Sequence, residues 1–381
     1  MIDKSECCGC HACFNACPTN AIVMVDDKNG FKYPVIDKEK CINCGMCERV
    51  CPILNKLKRN SDMVDAYACY NKNEKERLNS SSGGIFLLLA KEILKIKGVV
   101  FGAYFDENFK VKHGCAENMQ DVYKFMGSKY IQSTIGETYK KVKEVLENDR
   151  YVLFTGTPCQ IEGLKSYLMK DYDKLFTQDF ICHGVPSPLV WEKYKKYRME
   201  KDGERPLKIN FRHKAYGWSL FSLLFQYNDS SYNTNHQEDL FLKAFLRNTI
   251  LRDSCYRCNF KGKDRNSDIT LADYWGIKNV HPEICEDKGV SLLIVNSEKG
   301  KELFESIKDE LEYIETNLDM ALKYNPSYVE SAKQDKKRNE FFKNLDKLEF
   351  DKLVKKYTYK KPLLYRIIDR LKNIIKKVLK R

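Results

Sequence analysis

The chain lacks any hydrophobic run long enough to cross a bilayer. Of its 381 residues 43% are hydrophobic, yet the longest apolar stretch, near 85–90, falls far below the ~20 residues of a spanning helix. It opens Met-Ile-Asp-Lys, without the apolar core of a secretory signal, so the expected compartment is a reducing cytoplasm. A disulfide framework is not expected there. No zinc-finger, RNP or comparable module is present, and the net charge of +13 comes mostly from cations interleaved with acids, so no nucleic-acid partner is expected. His113, His236 and His281 show no ligand spacing and read as ordinary surface or structural residues. The Cys-x3-Cys-x2-Cys triad of a radical-initiating cluster is also missing, because Leu54 stands where its last cysteine would fall after Cys47 and Cys51.

What the chain has in plenty is cysteine, sixteen in all. Eight fall in two copies of one pattern, Cys7-x2-Cys10-x2-Cys13-x3-Cys17-Pro18 and Cys41-x2-Cys44-x2-Cys47-x3-Cys51-Pro52. In this bacterial-ferredoxin spacing three close cysteines grip one 4Fe-4S cubane and the fourth, before proline, reaches the other. One cluster is expected on Cys7, Cys10, Cys13 and Cys51, the other on Cys41, Cys44, Cys47 and Cys17. Structural zinc tolerates many spacings, but two complete runs each closed by Cys-Pro are not its pattern. Cys8 breaks the register and reads as a spare thiol.

Segments 21–26 and 31–36 alternate as short strands around an Asn29-Gly30 turn, the small sheet of an α+β ferredoxin-like domain. After a polar linker at 56–62, strands at 65–70, 99–105, 151–154 and 176–182 interleave with helices at 85–96, 137–146 and after Cys159. That alternation predicts an α/β layer with a largely parallel sheet. Further strands are expected at 208–211, 220–227, 269–273 and 290–295, and helices at 239–251 and 299–314.

Cys159 and Cys182 follow expected strands, where open α/β sheets place their ligands, and Cys255-x2-Cys258 supplies a close pair. Four thiolates suit one more 4Fe-4S cluster. On spacing alone they read equally well as two buried apolar thiols and a zinc half-site.

The sequences Gly156-Thr157-Pro158-Cys159-Gln160, Cys182-His183-Gly184-Val185-Pro186-Ser187 and Asp268-Ile269-Thr270-Leu271-Ala272-Asp273-Tyr274-Trp275-Gly276 shift that balance. With the N-terminal cysteines they resemble the beta-subunit family of coenzyme F420 hydrogenases and dehydrogenases, over roughly residues 1 to 320. The resemblance implies an iron–sulfur flavoprotein oxidoreductase with FAD and a third 4Fe-4S cluster, here on Cys159, Cys182, Cys255 and Cys258. Four regions are expected: a two-cluster ferredoxin domain at 1–58, the two parts of a flavin-binding region at 63–155 and 156–325 that the resemblance implies, and, from its own composition, a basic helical tail at 326–381.

Ser81, Ser82, Gly83 and Gly84 lead into a helix whose free N–H groups could hold a flavin pyrophosphate. By resemblance, Ser128, Lys129, Tyr130, Gln132 and Ser133 form a second cofactor-facing loop. Arg212 and Lys214, alternating with His213, are expected on one strand face as a cationic patch for reduced flavin or an acidic substrate. The expected partners are a ferredoxin-type electron carrier and a small organic substrate, with no catalytic proton donor assigned. Alternatives are a non-catalytic relay subunit and, from similar bacterial chains, a role in surface-polysaccharide synthesis. Behind Pro362, apolar residues from Leu363 to Leu379 recur at helical spacing among seven cations. This C-terminal amphipathic helix reads equally as docked on protein, its own domain or a second subunit, and as lying on the inner face of an anionic membrane.

Overall fold

The computed structural model describes residues 2–58 and 64–358. Its first unit is the antiparallel hairpin of β1 (Ile22–Asp26) and β2 (Lys32–Ile36). The Asp27 carboxylate accepts from the Asn29 and Phe31 N–H groups, and Gly30 takes a φ of +79° at the turn. Glycine is required here twice over, because a Cβ on Gly30 would lie 2.3 Å from that of Leu189. The hairpin tip is thus seated on the main domain, where Ser187 Oγ donates to the Asn29 carbonyl.

The main sheet has eight strands: β3 (Asp65–Asn71), β4 (Val99–Phe105), β5 (Val111–Ala116), β6 (Val152–Thr155), β7 (Leu175–Phe180), β11 (Ile269–Asp273), β12 (Ser291–Val295) and β13 (Leu311–Glu315). Their spatial order is β13-β3-β12-β11-β7-β6-β4-β5. The centre, β11-β7-β6-β4, is parallel, and antiparallel pairs flank it on both sides. The α/β layer is therefore as expected, with its parallel part in the middle. Alternate residues serve opposite faces. Leu153 joins Ile85, Leu88 and Phe304 on one side, while Val152 and Phe154 join Tyr139, Ile161 and the buried Cys8 and Cys10 on the other.

A second sheet of β8 (Lys208–His213), β9 (Ser222–Gln226) and β10 (Ser231–Asn235) is antiparallel. It closes an aromatic core of Trp191, Tyr194, Phe211, Phe225 and Phe241, to which Phe350, Leu353 and Tyr357 of the helix Phe350–Thr358 also contribute.

Two expected helices fall short: that over 239–251 ends at Leu246, and a second gives way to a strand. The helix expected over 299–314 stops at Ile307, and Leu311–Glu315 instead pairs antiparallel with β3. Leu303, Phe304, Ile307, Leu311 and Ile314 happen to fall at helical spacing, and sheet pairing overrides the pattern. The fifteen-residue helix Pro188–Asp202 was not anticipated, although Ser187 caps it and Pro188 occupies its first turn. The amphipathic tail at 362–381 lies outside the described residues. Among the described residues no helix is long and apolar enough to cross a membrane.

Candidate functional site

The first cysteine copy forms a loop pressed against the helix Pro158–Leu168. At Gly163 of that helix a Cβ would stand 2.7 Å from Cys10 Cβ. Cys7, Cys10, Cys13 and Cys51 line one cavity of about 330 Å³, with Cys8 and Cys47 at its wall. Burial, reinforced by Cys7 and Cys51, pushes the Cys13 thiol up to about 12. Both Cys51 and Cys47 of the second copy thus lie beside the first. Of the other set, Cys17, Cys41 and Cys47 are half-buried and Cys44 is exposed. None of the eight is in a disulfide. Among the described residues no group of three His, Cys, Asp or Glu is drawn tightly enough for a single metal ion. A cubane asks for a wider set, since each thiolate binds a different iron.

Cys159, Cys182 and the pair Cys255 and Cys258 come from three separate places, yet all four line one small pocket. Cys159 opens the helix after β6, Cys182 follows β7, and the turn Asp253–Arg257 brings the last pair. The Val185 N–H points at Cys255 Sγ at 3.4 Å, and Thr157 Oγ1 lies 3.1 Å from Cys159 Sγ. Burial pushes the Cys182 thiol up to about 12. Cys8 also lines this pocket, as it does the cavity of the first set. The thiol outside the register is thus buried between the two cysteine sets.

A cavity of about 600 Å³ opens at the carboxyl ends of β6, β7 and β11, lined there by Thr155, Phe180 and Asp273. Its walls include the loop 80–84, which feeds the helix Ile85–Lys95 through Gly84 at φ +89°, and the loop at 127–131 with Ser133. Ser128 donates its N–H to Ser81 Oγ at 2.7 Å, so the two loops meet. Arg212, 3% exposed, clasps them: its guanidinium donates to the Ser81 carbonyl and to Tyr130 Oη, each at 3.2 Å. It also grips Asp273 with both terminal nitrogens at 2.6 and 2.9 Å. Trp218 Nε1 adds a 2.6 Å bond to that carboxylate, which accounts for an aspartate in the Asp-Tyr-Trp-Gly segment.

The joint cationic patch of Arg212 and Lys214 does not form. The strand is bulged and ends at His213. Lys214 turns away to donate to the carbonyls of Arg77, Ser82 and Lys288 beneath the loop. Gly83 and Gln132 also stand behind the cavity wall, bonded to Ser291 Oγ and to the Cys8 carbonyl. Lys129 does line the cavity; burial pushes its ammonium down to about 7 although three carbonyls, those of Phe125, Met126 and Gly127, accept from it. Gln160 Nε2 donates to Ser133 Oγ at 2.9 Å.

His113 and His236 are cavity residues rather than surface ones. His113 stacks on Phe154 and places Nε2 3.1 Å from the Thr155 carbonyl, and burial holds it down to about 4, neutral at pH 7. His236 stacks on Phe221 with ring centroids 4.4 Å apart. His281 is structural, bonded to Thr316 Oγ1.

Residues 6–54 match the 4Fe-4S dicluster domain, and residues 149–320 match the family described as the C terminus of the coenzyme F420 hydrogenase/dehydrogenase beta subunit. Over residues 149–320 the chain is similar to the C-terminal segment of that beta subunit, behind a dicluster domain. It is an iron–sulfur redox protein related to those subunits. The family segment holds Cys159, Cys182, Cys255, Cys258, Arg212 and Asp273, whereas the loops 80–84 and 127–133 precede it. A solved structure described as xenon derivatization of the F420-reducing NiFe hydrogenase complex from Methanosarcina barkeri aligns at 16% identity. The alignment covers 73% of this chain and 91% of that one, with a TM-score of 0.48. No curated protein matches.

Sequence reading missed Asp273 as the partner of Arg212 and missed Arg252 altogether. The signal for Asp273 was its place at the end of an expected strand. Arg252, three residues before Cys255, carried no spacing signal.

Proposed function

We propose that the chain is a flavin-dependent oxidoreductase that passes single electrons from a ferredoxin-type carrier through 4Fe-4S clusters to FAD, and from there reduces an organic substrate. One observation carries this reading: residues 182–185 line both the 600 Å³ cavity and the pocket of the third cysteine set. A cluster on Cys159, Cys182, Cys255 and Cys258 would share a wall with whatever fills the cavity.

The residues fit a flavin. Arg212 Nε and His113 Nδ1 are buried in the cavity wall without a partner, two polar atoms waiting for one. Gly84 leaves the helix N-terminus open to a pyrophosphate, where backbone N–H groups and the helix dipole favour an anion. The apolar floor of Phe125, Tyr130, Phe245 and Leu271 suits a planar ring system. Bound FAD supplies the exchange between one-electron and two-electron chemistry. The chain's own residues hold it, exclude water and keep charge fixed: Arg212 stays cationic against Asp273, and His113 stays neutral. The outward second cysteine set, with Cys44 exposed, is the side a soluble carrier would approach.

Anaerobically purified chain should retain about one FAD per chain, and reduced ferredoxin should bleach it. Clusters without flavin would overturn this reading in favour of a relay subunit whose partner holds the catalytic site.

A further inference from the structure

Arg252 is a fully buried arginine, 0% exposed, donated by the main domain to the first cysteine loop. Its Nε donates to the Cys7 carbonyl at 2.7 Å, Nη1 to Gln132 Oε1 at 2.9 Å and Nη2 to the Lys32 carbonyl at 3.0 Å. Nη2 also points at Cys7 Sγ at 3.8 Å, and the guanidinium lies 4.1 Å from the Tyr33 ring centroid. Among the described residues no carboxylate pairs with Arg252, and the neighbouring Asp253 is taken by Arg338 at 3.0 Å. Gly9 accommodates the approach: at φ +68°, any Cβ there would lie 2.8 Å from Nη1.

A buried cation without a counter-charge is costly, by several kcal/mol in order of magnitude. The chain nevertheless builds a four-bond socket for this one, against a cysteine expected to hold a cluster. Four thiolates around a cubane supply the missing negative charge, and reduction adds one electron to it. A fixed guanidinium in a water-poor setting stabilises the reduced form more than the oxidised one, and an N–H aimed at a ligand sulfur acts in the same direction.

We propose that Arg252 is a positioning residue that raises the reduction potential of the cluster on Cys7, Cys10, Cys13 and Cys51. It thereby favours the electron's residence at the cluster that touches the main domain. The same residue accepts Cys255 N–H on its carbonyl, so it ties this cluster's loop to the turn that carries the third cysteine set. The proposal rests on the ferredoxin assignment of those four cysteines, but not on the flavin.

The test uses the full chain, reconstituted anaerobically and titrated potentiometrically with electron paramagnetic resonance as the readout. Wild-type protein without two dicluster signals would refute the cluster assignment itself. With both signals present, Arg252→Gln should lower the potential of one cluster by at least a tenfold change in its oxidised-to-reduced ratio, 59 mV for one electron. The other cluster should not move, iron content should hold, and Arg252→Lys should recover part of the shift. Unchanged potentials, or equal shifts in both clusters, would overturn the proposal. Should Arg252→Gln not fold, wild-type chain labelled with nitrogen-15 arginine serves instead. Its reduced first cluster should show a nitrogen-15 coupling by pulsed resonance, and its absence would overturn the proposal equally.

Discussion

Arg212 and His113 show how burial sets what a side chain can do. Arg212 is held charged by the two oxygens of Asp273. Arg212→Met would leave that half-buried carboxylate with only Trp218 for support, and breaking a fully buried pair costs about 3–5 kcal/mol, an upper bound here. Chemical denaturation under anaerobic conditions should show a loss between about 1 kcal/mol and that bound; a smaller one would mean that water solvates Asp273. His113 refuses a proton until about pH 4, against an ordinary value of 6.5. Between those values the unfolded chain binds the proton and the folded chain does not, so stability falls as pH drops through 6.5 and levels off below 4. At pH 5 the contribution lost is about 2 kcal/mol. His113→Gln, which keeps a donor for the Thr155 carbonyl but cannot titrate, should lose that much less than wild type between pH 7.5 and 5. Parallel losses in the two proteins would show that the His113 ring is solvated.

At the scale of elements, turns and strand ends do the gathering. The turn Asp253–Arg257 brings Cys255 and Cys258 to Cys159 and Cys182. If these four hold a cubane, reconstituted chain should contain about twelve irons, and the double replacement Cys255→Ser, Cys258→Ser should lower that to about eight with the dicluster signals intact. An unchanged iron content would remove the third cluster. The hairpin of β1 and β2 makes the other decisive contact. Gly30→Ala strains a turn at φ +79° and drives a methyl group into Leu189, an overpacking worth about 1–3 kcal/mol. Faster amide exchange across residues 22–36, with the main sheet unaffected, is the expected result; protection equal to wild type would mean that the hairpin is not held by this contact.

Over the whole molecule, the first and third cysteine sets and the cavity adjoin one another. Cys44 is open to solvent, Cys10 rests on the helix that Cys159 opens, and residues 182–185 separate the third set from the cavity. That adjacency was not legible in the sequence. The two ferredoxin runs were, because their ligands are local: each copy spans eleven residues, and a cubane leaves little freedom in spacing. The alternation of strands and helices was also legible, since hydrophobic period reports which face is buried. Strand β13 was misread because apolar residues on an edge strand can fall at helical spacing, and only pairing with β3 distinguishes the two. Sequence by itself thus determined the chemistry of the N-terminal thiols and the class of the sheet. Only the tertiary structure decided that Arg212 meets Asp273, that Lys214 turns away, that Cys8 lies between two cysteine sets and that Arg252 enters the first loop. Each of those is a contact between residues distant in the chain, made where burial makes an unpaired charge or polar group costly, and no local spacing encodes it.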